Sequence, residues 1–213
     1  MFSILYEDGS LLVVNKPSGM LVIPAKEEKR LSLLELLNKK LNQENKPYRV
    51  HPCHRIDKDA SGIVVFAKGK QNQSIIMKQF QKHQVKKKYI AFVKGRFTDK
   101  KSTLIDYIKA IEKKNPKKSI LHYRVLQEKK TWSVLEVEPV TGRMHQIRMQ
   151  FAKIGHPLLG ERRYAFGKDF DVKFRRLALH AQKISLFHPQ TKSIISFTAP
   201  LPEDMNNFLI SHR

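Results

Sequence analysis

Acidic residues are scarce in this chain: 19 Asp and Glu stand against 41 Lys and Arg, a formal net charge of +22 over 213 residues. No folding requirement accounts for so large an excess, and it calls for a polyanionic partner. Cysteine is nearly absent. Cys53 is the only one, which excludes a disulfide framework and fits a reducing compartment. Long apolar runs are also missing: IVVFA (Ile63 to Ala67) is interrupted far short of the ~20 residues that a membrane helix needs. Without such a run, or a basic amphipathic helix, the polyanion is expected to be nucleic acid and not a membrane surface. The opening MFSILYEDGS has neither the basic nor the apolar region of a secretion signal, so the expected compartment is the cytoplasm. There is no helix-turn-helix or zipper pattern, which argues against a DNA-binding regulator. No glycine-rich phosphate cradle appears either, which argues against nucleotide hydrolysis.

What is present suffices for a folded protein, since 41% of the residues are hydrophobic. ILYE and LLVVN flank Asp8-Gly9-Ser10, a hairpin signature. Ser32 and Glu35 have capping-box spacing ahead of a helix whose apolar face is Leu33, Leu34, Leu36, Leu37 and Leu41. GIVVFAKG is expected to be a buried strand, and KQNQSIIMKQFQKH a helix with Ile75, Ile76 and Phe80 inward. In KKKYIAFVKG, alternation turns Tyr89, Ala91 and Val93 to one side and Ile90 and Phe92 to the other. KAIEKKNPKKS (109–119) is a solvated hairpin tip, with RNA contact as a second role. ILHYRVLQ and TWSVLEVEPV are strands, and GRMHQIRMQFAKIG is a helix starting after Thr141-Gly142 and stopping at Gly155. HAQKISLFHPQ and KSIISFTAP are a closing strand pair, followed by a short helix opened by Pro202. With no repeat, low-complexity tract or linker, the expectation is one α+β domain over residues 1–213 built on a largely antiparallel sheet.

The densest chemistry is HPCHRIDKDASG, His51 to Gly62. An acid beside an arginine is most often a structural ion pair, here Asp57 with Arg55, and for Arg55 itself the plain alternative is a surface pair with Asp59. Asp57, however, is followed by small turn-forming residues and then by the buried strand from Ile63, a place where a carboxylate can act on a bound polyanion. HPCH holds His51, Cys53 and His54, but no second cluster completes a tetrahedral set, so no metal is expected. Cys53 is expected to be inert.

These residues carry a resemblance. HRIDKDASGIVVFAKG is similar to the signature HRLDxxTSG of the RluA-type pseudouridine synthases, which isomerise uridine to pseudouridine within RNA. ILYEDGSLLVVNKPSGMLV resembles that family's opening hairpin and Lys-Pro loop, and KKYIAFVKG its second motif, with Tyr89 in the tyrosine position. TGRMHQIRMQFAKIGHPLLGERRY resembles the third, and LALHAQKISLFHP and ISFTAPLP the closing strands. The chain starts directly at the hairpin, as in forms without an accessory N-terminal RNA-binding domain. Ile56, Ala60, Met144 and Gln150 depart from the usual Leu, Thr, Thr and His. Loss of the hydroxyls at positions 60 and 144 removes possible ties to loop backbone, so loop rigidity is where the pattern is weakest.

The resemblance implies a cofactor-free isomerase fold with a central RNA-binding cleft. It gives the reaction to Asp57, either attacking the anomeric carbon or abstracting a sugar proton to give a glycal. It makes Arg148 the partner that holds Asp57 charged, where the bare reading is a phosphate-binding helix residue. Tyr89 lies against the uracil, and Arg55 fills the gap left by a flipped nucleotide. The implied partner is structured RNA, transfer or large-subunit ribosomal, with the protein a monomer. The competing reading is a catalytically silent RNA-binding or RNA-folding protein on the same scaffold.

Overall fold

The computed structural model describes residues 2–108, 115–165, 170 and 172–212. In chain order the elements are β1 (Ser3–Glu7), β2 (Leu11–Lys16), α1 (Leu33–Gln43), β3 (Val50–Pro52), β4 (Ser61–Lys68), α2 (Lys70–Gln81) and β5 (Lys86–Lys94). There follow β6 (Lys101–Ile108), β7 (Lys117–Glu128), β8 (Trp132–Pro139), α3 (Gln146–Lys153), β9 (Leu179–Phe187), β10 (Ile194–Thr198) and α4 (Glu203–Ser211). The class is α+β, and the pairs β1–β2, β2–β4, β3–β4, β5–β8, β6–β7, β7–β8 and β9–β10 are antiparallel. Contacts divide the chain into two compact units, 1–85 with 181–200 and 86–180 with 201–213.

In the first unit the strand order is β1-β2-β4-β9, with β10 on β9 and β3 on β4. The Asp8-Gly9-Ser10 turn forms as expected: Asp8 Oδ1 accepts from the Ser10 and Leu11 amides, each at 2.7 Å. The capping box at Ser32 and Glu35 is present, and Leu33, Leu37 and Leu41 are the buried face of α1. Strand β4 is buried along almost its whole length. Its Ile63, Val65 and Ala67 pack with Leu11, Val13, Ile76, Ile184, Leu186 and Phe197 into the core. In α2 Ile76 is fully buried, while Gln79 turns inward to bond both the amide and the carbonyl of Phe187.

In the second unit the order is β5-β8-β7-β6. The alternation in β5 is as the sequence requires: Ile90 and Phe92 join Trp132, Val134, Leu159 and Met205 in one cluster. Phe208 of α4 closes that cluster, its ring 5.1 Å from that of Trp132. Of the hairpin tip expected over 109–119, residues 109–114 lie outside the described residues.

Among the differences from the sequence reading are a helix start and a short strand. Helix α3 begins at Gln146, because His145 has φ 53° in the left-handed region and cannot be helical. The Gln146 side chain instead organises the preceding turn, accepting from the Arg143 amide (3.0 Å) and the Thr141 hydroxyl (2.8 Å). Strand β3 was hidden by its brevity and by Pro52, a residue confined to strand edges and starts.

Candidate active site

In the first unit, Asp57 lies in the connection between β3 and β4. Its flanks alternate: Ile56 and Ala60 are buried, Arg55, Lys58 and Asp59 are exposed, and Asp57 is half-buried. The backbone of this turn is fixed from within. Lys16, at the end of β2, has no exposed surface. The three N–H groups of its ammonium are shared among the carbonyls of Pro17 (2.9 Å), Met20 (2.8 Å), Lys58 (3.1 Å) and Ala60 (2.7 Å). The Gly19 amide also donates to the Lys58 carbonyl (2.8 Å), and the Ser18 hydroxyl to that of Asp59 (2.6 Å). The Ala60 amide donates to the Asp57 carbonyl (3.2 Å). Thus the hydroxyl missing at position 60 is offset by backbone ties, and the Lys-Pro loop and the Asp57 turn form one hydrogen-bonded knot.

Removing the buried ammonium tests this knot. Lys16→Met keeps the length but strips up to four carbonyls of a donor. The cost of unsatisfied acceptors, less the relief of burying no charge, is roughly 2–4 kcal/mol. A denaturation midpoint equal to that of the wild type would refute the role.

Upstream, His54 Nε2 accepts from the Val65 amide at 3.1 Å, and its ring lies 5.0 Å from that of Phe80. His54 is thereby part of the packing. Cys53 is buried and its thiol is pushed up to about 12 by burial, against a weaker opposing bond from the Ala67 amide. It therefore carries almost no thiolate with which to attack. Among the described residues no ion pair joins Arg55 to Asp59.

In the second unit, Tyr89 is half-buried on β5, on the strand face opposite the aromatic cluster. Arg148 of α3 is 7% exposed and forms a two-pronged pair with Glu161: Nε to Oε2 at 2.7 Å and Nη2 to Oε1 at 2.8 Å. Glu161 Oε1 also accepts from the amides of Arg162 (3.0 Å), Arg163 (2.8 Å) and Tyr164 (3.2 Å). Burial pushes the Glu161 carboxyl up, but Arg148 and the Arg163 and Tyr164 amides outweigh it and hold it below the usual carboxylate range. The Arg148 guanidinium lies 5.4 Å over the Tyr164 ring, whose hydroxyl is 2.7 Å from His145 Nδ1. The left-handed backbone at His145, the Tyr164 hydroxyl and the Arg148–Glu161 pair therefore form one bonded cluster at the start of α3. Met144 is exposed, whereas Gln150 is buried and donates to the carbonyls of Leu104 (3.2 Å) and Ser119 (3.4 Å).

Lys16 and Glu161 were not singled out from sequence. The signals were there to see: a lysine closing an apolar strand just before a proline, and a lone acid in the basic run GERRY.

Residues 10–153 match the family described as RNA pseudouridylate synthase. An uncharacterized RNA pseudouridine synthase, YhcT, of Bacillus subtilis (strain 168) is 34% identical over 215 residues, covering 96% of this chain and 70% of its own length. Ribosomal large subunit pseudouridine synthase D of Nitrosomonas europaea is 34% identical over 217 residues, covering 95% of this chain and 62% of its own. Among solved structures, human RNA pseudouridylate synthase domain containing 4 aligns with TM-score 0.81 at 22% identity, over 98% of this chain and 92% of that one. That likeness shows the fold.

Proposed function

Because this chain belongs to the RNA pseudouridylate synthase family and is an RluA-type isomerase acting on RNA, we propose that Asp57 is its catalytic carboxylate and that residues 1–213 act as one catalytic domain. The observation that carries this reading is the knot around Lys16. A half-buried carboxylate at a turn whose neighbouring carbonyls are held by a buried cation is pre-positioned, as a group that must meet one sugar carbon has to be. Tyr89 lies against the uracil. To Arg148 we give the role that the family resemblance implies, keeping the carboxylate charged. Arg55, long, cationic and exposed, fills the space vacated by the flipped uridine. The enzyme works as a cytoplasmic monomer without a cofactor.

The target is a uridine in structured RNA. Relatives named ribosomal large subunit pseudouridine synthase C and D make large-subunit ribosomal RNA the first candidate, with transfer RNA second. Mapping pseudouridine in total RNA with and without the gene identifies it. Unchanged maps in both RNA classes would reject this substrate assignment.

Arg55 and Arg148 should fail differently. Arg55→Ala leaves stability unchanged and slows single-turnover isomerisation ~10-fold or more on a structured stem-loop, with a milder effect on a flexible oligonucleotide. Arg148→Ala strands the buried Glu161 carboxylate and destabilises the fold by roughly 3–5 kcal/mol. The double variant Arg148→Met/Glu161→Gln removes both charges and recovers most of that loss. The rate in this folded double variant decides the role. If it stays low on both RNAs, Arg148 acts in the reaction; if it returns to the wild-type rate, Arg148 only supports the fold.

A further inference from the structure

Three consecutive lysines open β5, and the structure treats two of them oppositely. Lys88 is neutralised by Glu136 (3.2 Å) and Glu138 (2.9 Å) of β8. Lys87 points to the other face, the one that carries Tyr89, since side chains two apart on a strand share a side. It is half-buried, and its ammonium sits against the turn that leads into α3: a β-carbon built on Gly142 would lie 3.8 Å from Lys87 Nζ.

Among the described residues no carboxylate or other acceptor bonds to this ammonium. Two other lysines that the fold draws inward, Lys16 and Lys68, are supplied with acceptors. Lys16 has its four carbonyls, and Lys68 has Glu7 at 2.7 Å with the Tyr48 ring beneath it. A partly desolvated cation without a counter-charge is costly to keep, and a site that binds a polyanion supplies the counter-charge on binding.

We infer that Lys87 is a phosphate-binding residue, contacting an RNA backbone phosphate next to the uridine that Tyr89 faces. The inference rests on the isomerase reading for the place of Tyr89. Two strand positions span about 6.6 Å, and a sugar separates a base from its phosphate on a comparable scale. Lysine suits the task as a compact point charge. Burial pushes the Lys87 ammonium down to about 8, as desolvation of an uncompensated cation must.

The experiment measures RNA affinity against KCl concentration for wild type, Lys87→Met and Lys87→Arg, using a stem-loop substrate. Single-turnover tritium release from carbon 5 of uridine is followed at saturating enzyme. Lys87→Met removes a buried charge without shortening the side chain, so the fold is retained, and Lys87→Arg restores the charge. The expected result is a log K against log salt slope shallower by about 0.7 in Lys87→Met, hence ~4-fold weaker binding near 0.15 M. Lys87→Arg recovers the slope. An unchanged slope in Lys87→Met overturns the inference, whether the saturated rate is kept or collapses. Should the wild type release no tritium while the slope still changes as expected, the phosphate contact stands and the isomerase reading falls.

Discussion

Gly62→Ala is expected to yield little or no folded protein. Gly62 ends the His51–Gly62 stretch and enters β4 with φ +115°, a conformation that residues with a β-carbon rarely adopt. A β-carbon there would lie 2.3 Å from the Ala181 carbonyl oxygen, 2.6 Å from its nitrogen and 2.8 Å from its carbonyl carbon. All three are backbone atoms of β9, so no rotamer change relieves the clash, and β4 lies between β2 and β9 in its sheet. The two strands must part, or the strand entering from the Asp57 turn must shift. Either costs more than about 4 kcal/mol, a large share of the ~5–15 kcal/mol that holds a domain folded. Gly9→Ala is the control: nothing lies within 4 Å of its added carbon, and the effect should stay within about 0.5 kcal/mol. Soluble yield and thermal midpoint separate the two. Equal midpoints would mean that β4 and β9 do not approach as closely as described.

The same glycine shows what sequence can and cannot reveal. Features set by neighbours in the chain were legible: the Asp8 turn, the Ser32–Glu35 cap, the alternation of β5 and the helix opened by Pro202. Their causes, a side chain reaching its own backbone or a period of two, are local. Lys16 meets Lys58 and Ala60 across more than forty residues, and Arg148 meets Glu161 across an intervening turn. No local pattern encodes such partners. The start of α3 was misplaced for a related reason: the Gln146 side chain, a good helix former by propensity, is spent on the turn before it. Strand β6 escaped notice because its exposed Ile105 and Tyr107 blur the alternation. For the site, the chemistry of Asp57, Tyr89, Arg55 and Arg148 was drawn from motif resemblance, and the structure adds the supports: the Lys16 knot under the Asp57 turn and the Glu161 partner of Arg148.

Asp57→Asn is expected to abolish isomerisation while leaving RNA binding intact. The amide keeps the shape of the carboxylate, and the Lys16 knot that fixes its turn is made by backbone carbonyls that the substitution does not touch. The fold and the basic surface should therefore be unchanged, and the loss of one negative charge should tighten phosphate binding slightly. Both proposed courses of the reaction, attack on the sugar and removal of a sugar proton, need the anionic oxygen, which the amide lacks. Loss of such a group lowers the rate by at least ~10³-fold. The decisive measurement is single-turnover release of tritium from carbon 5 of labelled uridine in the mapped RNA, with binding measured in parallel. The account predicts release below detection in Asp57→Asn, with an affinity equal to or slightly tighter than that of the wild type. Turnover within about tenfold of wild type would contradict it and move the chemistry to another residue.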